Sequence, residues 1–108
     1  MNFINFEVNN KSYKLRLNTR NIVMLEKQLG CNPLHIFGVA GDTIPTITVM
    51  VAILHASLQQ YNHGITLNDA YDIFDEYLAD GHSATDFMET ILEIYRASGI
   101  IPKDEKNA

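Results

Sequence analysis

Apolar and polar residues alternate strictly over the first part of the chain. Ile4, Phe6 and Val8 alternate with Asn5 and Glu7, and Tyr13, Leu15 and Leu17 alternate with Lys14 and Arg16. A period of two marks strands with one buried face. Asn9-Asn10-Lys11 lies between the two runs, and asparagine tolerates the positive φ that a tight hairpin turn demands. The pattern predicts a β-hairpin over residues 3–17. A lone hairpin is marginal in water, so its apolar face needs helices to pack on.

From residue 19 onward the apolar spacing changes to three and four. A helix is expected over 19–29, capped by Asn18 or Thr19 and ended by Gly30, with Ile22, Leu25 (together with Met24) and Leu29 facing inward. Asn32-Pro33 opens a helical turn over 34–39, and Gly38, Gly41 and Asp42 mark a loop. The next helix is expected over 44–61 with Thr43 as its cap, and Asn62-His63-Gly64 ends it. It is apolar nearly all round: Ile47, Met50, Val51, Leu54 and Leu58 form one stripe, while Val49, Ile53 and Ala56 cover the flank. Such a helix is either buried within the domain or partly buried against another subunit.

Thr66 and Asp69 have capping-box spacing and open a helix over 67–80; Ser83 and Asp86 repeat the device for a helix over 84–98. The first of these turns Leu67, Ala70, Tyr71, Phe74, Tyr77 and Leu78 inward and carries Asp69, Asp72, Asp75, Glu76 and Asp80 outside. The second turns Phe87, Met88, Ile91, Leu92 and Tyr95 inward and stops at Gly99, after which Ile100-Ile101-Pro102 can pack back. The expected fold is α+β and mostly α: an N-terminal hairpin packed on a bundle of about four to five helices. Residues 1–102 form the single globular domain, and 103–108 form a mobile polar tail.

Charge narrows the partners. The net charge is -5, and nucleic-acid affinity is carried mainly by Lys and Arg neutralising phosphates, so no nucleic-acid partner is expected. Four of the eight basic residues fall between Lys11 and Arg20, which leaves a small basic patch open beside ordinary solvated strand faces. No signal peptide is legible, and the apolar run Ile47–Ala56 is too short and too polar at its ends to span a bilayer, so no membrane partner is expected either.

The search for chemistry finds no constellation. His35, His55, His63 and His82 form no HxxxH or HExxH pair, and Asn32-Pro33 separates Cys31 from His35. The carboxylates of 69–80 have helical spacing, whereas a calcium loop needs ligands at alternate positions around a central glycine. They read as a solvated face or as a docking face for a basic partner. Cys31 follows Gly30 at a helix C-terminus, where the dipole disfavours a thiolate. No glycine-rich phosphate cradle is present, and Tyr71, Tyr77 and Tyr95 sit on the expected core stripes. A non-enzymatic protein binder without cofactor or metal is therefore expected. The surplus flank Val49, Ile53 and Ala56 is a candidate assembly surface, with burial in the monomer core as the alternative.

The order of segments adds a resemblance. The run FINFEVNNKSYKLRLNTRNIVMLEKQLG is followed by NPLHIF, by an apolar helix ending LHASLQQYNHGI, and by TLNDAYDIFDEYLADGH. Across about residues 1–100 this resembles the tail assembly chaperones of long-tailed phages and prophages of Gram-positive bacteria. The resemblance implies a non-catalytic protein that binds the tape-measure protein, keeps it soluble and assists tail-tube assembly. It also implies the tail-tube protein and a homo-oligomer as further contacts, the host cytoplasm as the place of action, and absence from the mature virion. The alternative is a small structural virion component such as a head-tail connector protein.

Overall fold

In the computed structural model of the protein, residues 2–37 and 44–102 are described. Strands β1 (Ile4–Val8) and β2 (Lys11–Leu15) pair antiparallel, from Ile4 opposite Leu15 to Val8 opposite Lys11. Only Asn9 and Asn10 lie outside the ladder, with φ of 52° and 70°. Two consecutive positive φ values give the turn a twist that matches the strands. Lys11 thus already belongs to β2 and not to the turn. Phe6, Val8 and Leu15, and Leu17 just beyond β2, are buried.

Helix α1 spans Thr19–Leu29, and the Asn18 side chain accepts from the Asn21 backbone N–H at 2.9 Å. It ends at Gly30, whose φ of 74° lies in the left-handed region that L side chains resist. A 3-10 turn follows at Pro33–Phe37. The expected turn ran to residue 39; its last two residues, the loop to Asp42 and the Thr43 cap lie outside the described residues, as does the tail 103–108.

Helix α2 spans Ile47–Leu58, shorter at both ends than the expected 44–61. Its cap is Thr46, whose hydroxyl accepts from the Val49 N–H at 3.2 Å. That bond needs Thr46 extended, and its φ of -69° and ψ of 161° keep the helix from starting earlier. At the other end the Asn62 side chain donates to the Leu58 and Lys14 carbonyls at 3.1 Å each, tying the end of α2 to β2.

Met50 through Leu54, five consecutive residues, are all buried. Consecutive residues on a helix point in every direction, so α2 is enclosed on all sides at this level. The enclosing elements are α1, α3 (Leu67–Ala79), α4 (Ala84–Ser98) and β2. The architecture is therefore α+β and mostly α: among the described residues, a hairpin on a bundle of four α-helices, with α2 at its centre.

Both predicted capping boxes form. Thr66 with Asp69 opens α3, and Ser83 with Asp86 opens α4. β1 packs on α3 and α4, where Phe6 meets Tyr77 and Phe87 at ring-centroid distances of 5.2 and 5.8 Å. Phe74 meets Phe87 edge-on at 5.2 Å, completing an aromatic knot under the hairpin. Beyond α4, the Ile100 N–H returns to the Tyr95 carbonyl at 2.9 Å, and Ile100 and Ile101 lean on the core.

Four expected inward positions face out: Met24, Ile47, Tyr71 and Leu78 are exposed. In α3 the buried set is Ala70, Ile73, Phe74 and Tyr77. The core meets α3 on the Ile73 side of the expected stripe, which rotates Tyr71 and Leu78 to the rim.

Candidate interaction surfaces

Two of the three residues of the expected assembly flank on the central helix are buried in the core. Ile53 is fully buried and Ala56 is 7% exposed, while Val49 is partly buried against the same cluster. The packing of α1, α3, α4 and β2 around α2 accounts for this apolar surplus.

The five acidic positions of 69–80 do not act as one unit. Asp69 completes the cap: its carboxylate accepts from the Thr66 N–H and its own N–H donates to the Thr66 hydroxyl, both at 3.0 Å. Asp80 is the C-cap residue of α3 and accepts from the Asn9 N–H at 3.3 Å, linking the hairpin turn to the helix end. Glu76, half-buried, lines a small depression with Asn9, Ala79 and Asp80. Asp72 and Asp75 remain exposed. Among the described residues no cation lies within 4.0 Å of either. Tyr71 and Leu78 flank them on the same helix, 45% and 37% exposed.

A second surface lies on α1, where Met24, expected to face inward, faces out. Arg20, Val23, Met24 and Lys27, with Thr19, line a shallow open depression. Met24 is 56% and Val23 41% exposed. The buried residues of α1 are Asn21 and Leu25, so Leu25 anchors the helix and rotates Met24 away from the core. The signal was present in the sequence: positions 20, 23, 24 and 27 follow the i, i+3, i+4, i+7 rule of one helix face. Among the described residues no carboxylate pairs with Arg20 or Lys27.

The other basic residues near the hairpin do not extend this face. Lys14 Nζ lies 5.0 Å from the Phe3 ring centre and 5.8 Å from that of Tyr61, a cation-π arrangement over two rings that meet edge-on at 5.4 Å. Arg16 donates from Nη1 to the Gln60 side chain at 3.1 Å, and among the described residues its buried Nε has no hydrogen-bond partner.

Among the described residues no group of three His, Cys, Asp or Glu side chains could hold a metal ion. His82 stacks on Tyr77 with ring centroids 4.4 Å apart and planes 8° from parallel. Cys31 is exposed. No described helix is long and apolar enough to cross a membrane. Among the described residues, α1 and α3 each present an exposed amphipathic face, and the two faces are opposite in charge.

No curated protein and no solved structure matches the chain. A protein family matches residues 5–108, nearly the whole chain, and the protein accordingly belongs to that family, which is described as a family of unknown function (DUF6096).

Proposed function

We propose that the protein is a tail assembly chaperone of a long-tailed phage or prophage, acting without catalysis by binding the tape-measure protein while the tail tube is built. The reading rests first on the resemblance of the segment order across about residues 1–100. The observation that supports it in the fold is the α1 face, where Val23 and Met24 stand exposed between Arg20 and Lys27. A tape-measure chain carries long apolar stretches that aggregate before assembly. An exposed apolar strip rimmed by charge is the kind of surface on which an amphipathic helix docks. Both proposed contacts, the tape-measure protein and the tail-tube protein, are proteins, and the setting is the host cytoplasm.

The competing reading is a small component built into the particle, such as a head-tail connector. Mass spectrometry of purified virions separates the two. The chaperone reading requires the protein to be present in lysates of assembling cells and absent from finished particles. Recovery at stoichiometric abundance from purified virions would overturn it in favour of the structural component.

A further inference from the structure

We infer that the Arg20–Lys27 face of α1 docks on the Tyr71–Leu78 face of α3 in a second copy of the chain. The two faces are complementary in charge and alike in size. The first presents Arg20, Val23, Met24 and Lys27, with the two hydrophobic residues exposed between cations. The second presents Tyr71, Asp72, Asp75 and Leu78, with two exposed carboxylates between apolar side chains. Each face spans eight residues, about 10 Å of helix axis. Arg and Lys carry their charge on long apolar stems, so cations at the ends of one strip can reach acids at the middle of the other while Val23 and Met24 cover Tyr71 and Leu78.

The single copy leaves both faces in water. The two helices pack on α2 through their opposite sides. Among the described residues none of the four charged groups has an ion-pair partner. A contact between unlike faces is heterologous: each added copy leaves an α1 face free at one end and an α3 face free at the other. Growth therefore does not stop at a dimer unless the rotation closes a ring. One pair of short helix faces falls below the roughly 1,200 Å² of a stable interface, so the association is weak and strengthens with concentration. Its charged part is screened as salt rises. The inference stands on these two faces and not on the phage reading.

Sedimentation analysis of the chain alone, at low salt and up to about 1 mM, tests it. The average mass is expected to rise above the monomer's 12.2 kDa and to continue past twice that value. Met24→Glu spoils the α1 face, and Asp75→Lys spoils the α3 face. Each is expected to stay monomeric alone, yet an equimolar mixture forms a 1:1 dimer and stops, because one intact face of each kind remains. Lys27→Glu provides a second α1 variant, and Lys11→Glu, on the hairpin, serves as a charge control that associates like the parent. The inference is overturned if the parent stays monomeric throughout, if either face variant associates like the parent, or if the mixture stays monomeric. Because no tape-measure protein is in the cell, none of these outcomes bears on whether the chain binds one.

Discussion

The Tyr95 hydroxyl donates a hydrogen bond to the Pro33 carbonyl at 3.1 Å, across 62 positions of sequence. Tyr95 is fully buried on α4, and Pro33 opens the turn after α1. The bond fastens the segment that leaves α1 to the far side of the bundle. Tyr95→Phe keeps the ring and removes the donor, which should lower stability by about 1 kcal/mol. Urea denaturation of the two proteins measures the difference, and unchanged midpoints would contradict the assignment.

The same burial sets a pH dependence. Burial raises the pKa of Tyr95 well above the ordinary tyrosine value, and the nearby Cys31 thiol adds to the rise. Burial also raises Tyr77; a hydrogen bond with Thr90 works against it, and Asp86 works with it. A raised folded pKa means the unfolded chain releases its proton first. The contribution is intact below the ordinary tyrosine pKa of about 10 and is lost progressively as pH climbs above it. Alkaline titration should show stability falling from about pH 10 upward, and Tyr95→Phe should fall less steeply.

Two apolar residues on neighbouring helices should respond oppositely to charge. Ile53 is fully buried in α2 and Met24 is 56% exposed on α1. Ile53→Asp places a carboxylate where nothing can pair with it, and the protein should fail to fold. Even Ile53→Ala should cost about 2–5 kcal/mol. Met24→Glu should change stability by no more than about 0.5 kcal/mol. Circular dichroism melts of the three variants check this pair directly.

The acidic helix should divide by role. Asp69→Ala removes one half of the α3 capping box and should cost about 1 kcal/mol. Asp75→Ala touches no described partner and should leave the melting temperature in place. If the two variants melted alike, the separation of a structural carboxylate from a surface one would be wrong.

Much of this fold is readable from the chain because its signals are local. The Asn9-Asn10 turn, the two capping boxes and the left-handed glycines at 30 and 99 each need only a few residues in sequence. The boundaries of α2 were less legible: Thr43 is the cap the pattern suggests, whereas Thr46, extended and bonded to the Val49 N–H, is the residue that caps it. Rotation about a helix axis was the least legible. An apolar residue at the stripe edge, such as Met24 or Tyr71, satisfies the periodicity whether it faces the core or the rim. Leu25 and Ile73 decide the matter by the volume they find in the core, and that volume is a property of the assembled bundle. For the same reason the exposed apolar strip lies on the outer face of α1 and not on the flank of α2, while the acidic face of α3 was legible from its spacing.

The most direct test of the chaperone proposal is co-expression with the long, helix-rich protein expected to be encoded immediately downstream. The measured quantity is the fraction of that long protein remaining in the supernatant. The account predicts that it is mostly soluble and co-purifies with the chain when both are present, and that it is mostly aggregated when expressed alone. Equal solubility with and without this chain would contradict the account.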